Sequence, residues 1–91
     1  MPWIKLLSVN ILRASKEELE CNGSTLKEIM EELEKKLPGV KNELLYMGTL
    51  SQAYSFVLEN SEKSVNKNIK TLSIRIEKND RITIFPIITG G

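Results

Sequence analysis

The segment "STLKEIMEELEKKLPGV", residues 24–40, limits the fold more than any other part of the chain. Leu26, Ile29, Met30, Leu33 and Leu37 recur at helical spacing and form one apolar stripe. Thr25 can act as N-cap, and Glu28 three residues later completes a capping box. Acidic residues come first and Lys35 and Lys36 come last, the order that suits the helix dipole. Pro38-Gly39 ends the helix. The stripe reads as core packing, not as a ligand box. A helix that is apolar on one side needs a second layer to cover it.

The flanking segments supply that layer as strands. "WIKLLSVNILRA" is rich in strand formers, and a first strand is expected over about residues 3–12. Trp3, Lys5, Leu7, Val9 and Ile11 share one face; Ile4, Leu6, Ser8, Asn10 and Leu12 share the other. Ser15-Lys16 suits a turn, and Glu17 to Cys21 reads as a short second strand pairing back on the first. Asn22-Gly23 is a further turn signal.

Residues 40–70 are the least patterned. "YSFVLEN" reads as a strand with Phe56 and Leu58 on one face. "NSEKSVNKNIK", with Lys63, Lys67 and Lys70, reads as a solvated loop, with a small basic recognition patch as the alternative. Further on, "TLSIRI" alternates strictly, "EKND" suits a turn, and "RITIF" alternates again with Ile82 and Ile84 inward and Thr83 and Phe85 outward. That pattern predicts a final β-hairpin. Pro86 lacks an N–H, so it should end the pairing, and it holds Phe85 extended. Strand, strand, helix, strand and hairpin do not alternate as βαβ units. The fold class is therefore α+β, a mixed sheet of four to five strands with one main helix across one face.

Ninety-one residues make one domain, 1–91, with a flexible tail over 86–91. A chain this short holds one small core and no deep interior cleft. A formal net charge of +1 gives no electrostatic case for nucleic acid or an anionic membrane as partner. No apolar run approaches a membrane span, and the N-terminus is too interrupted for a signal peptide, so a cytoplasmic location is expected. Cys21 is the single cysteine, so no intrachain disulfide forms, and it reads as a buried small hydrophobe. With no histidine, a Cys/His zinc site and a Ser-His or Cys-His nucleophile pair are excluded. No metal ligands are assigned.

The chemistry must then lie elsewhere, and "ITIFPIITGG" points to the tail. Gly90 and Gly91 carry no Cβ, so the backbone can pass through a narrow opening or close to a surface. Ile87 and Ile88 would face water in an isolated tail. Full burial of such a side chain stabilises by about 1.5–3 kcal/mol, so a partner groove is their expected destination. Phe85, off the core face, can join them.

The tail and the order of elements resemble the β-grasp, ubiquitin-like sulfur carriers of the MoaD/ThiS type, most of all MoaD, the small subunit of molybdopterin synthase. That family's signature is a Gly-Asp turn, a strand, Phe-Pro-Pro-Val, a small residue and Gly-Gly. The matching residues are Asn79-Asp80, Arg81 to Ile84, Phe85-Pro86, Ile87-Ile88, Thr89 and Gly90-Gly91. "IKLL" near the start and Leu12-Arg13 at the end of the first strand are also similar. Ile87 stands where the family has its second proline, and Asn79 replaces the turn glycine, a mild change because Asn tolerates left-handed backbone. Ser8 and Asn10 are more polar than the family's first strand.

The resemblance implies a function. The carboxylate of Gly91 attacks the α-phosphate of ATP inside a ubiquitin-activating-type adenylating enzyme (MoeB-like). The acyl-adenylate takes up sulfur and becomes a thiocarboxylate, which the large subunit of molybdopterin synthase (MoaE-like) then uses. Gly91 and Gly90 form the reacting end. Phe85, Pro86, Ile87, Ile88, Thr89 and Arg13 contact the partner. The chain itself binds no cofactor, since ATP and metal belong to the adenylating enzyme, and it is a carrier subunit whose activity resides in the complex. Two other readings share the tail: a ubiquitin-like modifier or tRNA-thiolation carrier of the archaeal small-modifier or Urm type, and a ubiquitin-like binding domain with an inert tail. A thiamine-pathway carrier has the same ending, but such chains are usually shorter.

Overall fold

The computed structural model describes residues 2–7 and 16–87. β1 (Trp3–Leu7) runs antiparallel to β2 (Lys16–Glu20), with Ile4 opposite Leu19. The expected continuation of the first strand to residue 12 lies outside the described residues. Next come α1 (Leu26–Lys36), α2 (Val40–Leu44) and a small hairpin of β3 (Leu45–Tyr46) and β4 (Thr49–Leu50). β5 (Tyr54–Asn60), a 3₁₀ turn (Ser61–Lys63), β6 (Val65–Asn68) and β7 (Arg81–Pro86) complete the order. The main sheet has five strands in the order β2-β1-β7-β5-β6. β1 and β7 are parallel at its centre and every other pair is antiparallel, which makes the sheet mixed, as expected.

α1 forms as its sequence predicts. Thr25 Oγ1 accepts from the Glu28 N–H, and the Glu28 carboxylate accepts from the Thr25 N–H at 3.1 Å, closing the capping box. Leu26, Ile29, Met30 and Leu33 are buried in one core with Ile4, Leu6, Phe56, Leu58, Ile82 and Ile84; Leu37 is half-buried at the C-cap. Gly23 lets the chain pass α1 closely, because a Cβ there would stand 2.8 Å from Cβ of Glu28. Gly39, at φ +99°, takes the left-handed turn that ends α1 and starts α2.

The predicted final hairpin does not form. Residues 71–76 make no strand, and β7 instead lies between β1 and β5, so both its edges are taken. The alternating segment serves α1. The N–H groups of Leu26 and Lys27 have no partner within a helix's first turn. They donate to Ile74 O at 3.2 Å and Leu72 O at 3.0 Å, and Ile76 N–H donates to Ser24 O at 2.8 Å. Ile76 is buried, so alternation here reports a covered face without a ladder.

The reading of 61–70 as loop also needs correction. β6 is an edge strand on β5, held by backbone pairing of a polar sequence whose only valine, Val65, is half-buried. Lys63 leaves the supposed basic patch by pairing with Glu77. α2 and the β3–β4 hairpin were not foreseen. Met47 and Gly48 take positive φ, the paired left-handed residues of a two-residue hairpin, in a stretch where only glycine signalled a turn.

Three carboxylates, exposed Glu28 and Glu77 and half-buried Glu34, are held below their ordinary value of 4.5. For Glu28 the cause is the donated N–H of Ser24, then its hydroxyl and Thr25. For Glu34 it is the N–H groups of Gly39 and Lys41. For Glu77 it is the Lys63 ammonium. A carboxylate depressed by folding stabilises the protein above its unfolded pKa, and that contribution is lost as pH falls through the folded pKa. Denaturant midpoints should therefore be level above about pH 5 and decline below the ordinary value of 4.5.

Candidate functional site

The site is the end of β7, at Phe85, Pro86 and the adjoining Ile87. Register places Phe85 opposite Ser55 and Pro86 opposite Tyr54. Ile82 and Ile84 are fully buried, while Phe85 on the other face is half-buried. Pro86 does not end the pairing, contrary to expectation: Ile87 N–H donates to Ala53 O at 2.9 Å. Antiparallel residues alternate between hydrogen-bonded and non-hydrogen-bonded pairs. Because 87 and 53 form a bonded pair, Pro86 and Tyr54 fall at a non-bonded one, where the missing N–H is not needed by β5. A proline at position 87, as in the family signature, could not make this bond. The Ile87 side chain is 49% exposed, which suits a partner contact.

At its other end β7 is anchored by a buried polar pair. Asp80 Oδ1 accepts from Asn60 Nδ2 at 2.8 Å, and its second oxygen accepts from the Glu77 N–H at 2.7 Å. Trp3 N–H donates to Asp80 O at 3.1 Å, which sets the parallel register of β1 against β7. Asn79 is not left-handed, so the tolerance allowed for it is not used; it donates to Glu62 at 2.9 Å.

Other places offer less chemistry. Cys21 is fully buried, and burial, aided by Glu32 and Glu20, pushes its thiol up to about 11. It is a core thiol, buried as the sequence reading expected, and stays protonated at neutral pH. A polar hollow of about 490 Å³ beside Trp3, Glu20, Glu59 and Arg81 lies at the end of β7 remote from the tail. Among the described residues no group of three or more Cys, Asp or Glu side chains is placed to hold a metal ion. Nor is any described helix long and apolar enough to cross a membrane.

Of the residues expected to act, Phe85, Pro86 and Ile87 fall together at this strand end. Ile88, Thr89, Gly90, Gly91 and Arg13 lie outside the described residues. The sequence reading missed Ala53, whose carbonyl holds Ile87, and the groove beside it lined by Leu50, Ile69 and Lys70. No motif marks Ala53, since its role is carried by backbone. Asp80 was noted only as a turn residue; an acid just before an alternating strand was the available signal for the anchor.

Comparison with curated proteins finds no significant match. The ThiS family model matches residues 8–91. Among solved structures, a chain of the Amycolatopsis orientalis BexX/CysO complex superposes with a TM-score of 0.74 at 21% identity, covering 97% of this chain and 99% of that one. SAMP1 from Haloferax volcanii superposes with a TM-score of 0.69 at 15% identity, covering 99% and 98%. These likenesses establish the β-grasp, ubiquitin-like fold. The family match runs from the first strand region through both terminal glycines, and the chain belongs to the ThiS family, the ubiquitin-like sulfur carriers of the MoaD/ThiS type.

Proposed function

We propose that this chain carries sulfur on Gly91 and donates it as the small subunit of molybdopterin synthase. The observation that carries the reading is the family match extending through Gly90-Gly91. The end of β7 supports it, because Ile87 is pinned at the sheet margin and only three residues separate it from Gly91.

The chemistry asks little of the carrier. A carboxylate oxygen of Gly91 attacks the α-phosphorus of ATP, and pyrophosphate leaves. A sulfur nucleophile then attacks the acyl carbon, AMP leaves, and the thiocarboxylate remains. ATP, metal and orientation come from the MoeB-like adenylating enzyme, which turns a bimolecular encounter into a positioned one. The carrier contributes a side-chain-free end that fits a channel. The similar chain from Amycolatopsis orientalis was crystallised in a BexX/CysO complex; for this chain the partners assigned are the adenylating enzyme and a MoaE-like large subunit.

Intact mass after incubation with that adenylating enzyme, ATP and a sulfur donor tests the first half. Acyl-adenylate and then a sulfur-for-oxygen exchange at Gly91 are expected, and an unchanged mass refutes it. Turnover of molybdopterin precursor with the large subunit tests the second half. A thiocarboxylate that is inert there but thiolates tRNA, or a Gly91 isopeptide on a target lysine, moves the assignment to the modifier or tRNA-thiolation reading.

Docking should use the outer face at the strand end. Phe85→Ala is expected to weaken binding to the large subunit by about 1 kcal/mol or more, as an aromatic anchor does. Calorimetric titration measures this, with a thermal melt to show that the variant stays folded. Arg13→Ala should alter mainly the association rate and its salt dependence.

A further inference from the structure

Residue 87 is a fixed point from which the tail's reach can be measured. Its N–H is bonded to Ala53 O at 2.9 Å. Its side chain lines a groove of about 440 Å³ together with Leu50, Gln52, Ile69 and Lys70. Gly91 lies four residues further along. An extended chain advances at most about 3.3–3.6 Å per residue, so Gly91 stays within about 14 Å of Ile87 whatever path residues 88–91 take. An enzyme that reacts with Gly91 must bring its own centre inside that radius. Such centres lie in clefts below the enzyme's surface. The enzyme's surface must therefore close onto the ground around Ile87.

That ground is suited to contact. Thr49, Leu50, Ser51 and Gln52 wall the groove beside Ile87 and also a second hollow of about 400 Å³ that reaches Tyr46. Tyr46 is 66% exposed at the edge of the β3–β4 hairpin, a large aromatic with no burial in this chain to account for it. Lys70 is exposed and takes part in neither of the ion pairs among the described residues. Apolar, aromatic and cationic groups thus adjoin the one place the partner cannot avoid.

We propose that Tyr46, Leu50, Gln52 and Lys70 form a docking collar for the ATP-dependent enzyme that adenylates Gly91. This rests on the sulfur-carrier reading above. It adds a surface on the hairpin side of the tail, separate from Phe85 and the outer sheet face. The enzyme's matching surface presents an apolar pocket to Tyr46 and an acidic group to Lys70.

Pyrophosphate exchange into ATP, driven by the purified MoeB-like enzyme of the same cell, reads the collar directly. Tyr46→Ala should raise the KM for the carrier about tenfold and leave kcat within about twofold, as loss of a buried aromatic contact does. Lys70→Glu, a fully surface change, should raise KM and weaken its dependence on salt. Lys35→Glu, at the exposed end of α1, should change neither constant. Circular dichroism melts establish that each variant is folded. If the wild type exchanges normally and both collar variants keep its KM, the collar is wrong while the sulfur-carrier reading stands. If the wild type drives no exchange at all, both fall together.

Discussion

Removing Gly90 and Gly91 is expected to abolish sulfur transfer completely while leaving the folded domain as stable as before. In the proposed function, the acyl group that takes AMP and then sulfur is the carboxyl of Gly91. After deletion the nearest carboxyl belongs to Thr89, which is two residues short and bears a branched side chain. Two residues correspond to about 7 Å of extended chain. A reacting geometry misplaced by even 1 Å can cost a hundredfold, so no residual activity is expected at 7 Å. The fold should not notice. The last buried apolar residue described is Ile84, and the last described ladder bond belongs to Ile87. Surface changes away from packing stay within about 0.5 kcal/mol. Denaturant unfolding and a transfer assay on the same preparation separate the two effects. A large fall in the denaturation midpoint would instead make the glycines part of the packed structure.

The parts of this chain that could be read in advance are those where one local signal decides. Thr25 and Glu28 cap α1 through contacts three residues apart, and the stripe from Leu26 to Leu33 needs only helical geometry. The inward set of β7, Ile82 and Ile84, follows from alternation in the same way. What could not be read is who pairs with whom. "TLSIRI" and "RITIF" look like neighbours, yet β7 takes its partners from further away in the chain, β1 near its start and β5 in its middle. The carbonyls of Leu72 and Ile74 go to the N–H groups of Lys27 and Leu26 at the start of α1, 45 and 48 residues earlier in the chain, a demand that periodicity does not express. β6 was invisible for a related reason: an edge strand held by backbone bonds needs no apolar alternation. At the site the same division holds. That Phe85 lies off the core face was legible from alternation, whereas Ala53 holds Ile87 through a carbonyl that any residue would supply, which is why the pairing past Pro86 was missed.

Leu33→Ala should be the most damaging of the single substitutions considered. Leu33 is fully buried, and its carbonyl also accepts the Leu37 N–H at 2.7 Å, so it sits where the side-chain core and the end of α1 meet. Truncation removes buried methyl and methylene groups and leaves a cavity, and a rigid surround does not collapse to fill it. The sheet face below, with Ile4, Leu6, Ile82 and Ile84 all fully buried, is fixed by ladders on both sides of β1 and β7. The expected loss is about 2–5 kcal/mol. A domain of this size has roughly 5–13 kcal/mol in total, so the variant should remain folded at low temperature with a greatly lowered margin. The melting temperature should fall by at least about 8 °C, given roughly 4–8 °C per kcal/mol for small domains. Urea unfolding should show a lower midpoint with an unchanged slope, since the surface exposed on unfolding is nearly the same. A loss below about 1 kcal/mol would mean that α1 is not seated on the sheet through Leu33. The proposed Gly91 chemistry, by contrast, should survive in whatever fraction is folded, because Leu33 is not among the residues that line the groove beside Ile87.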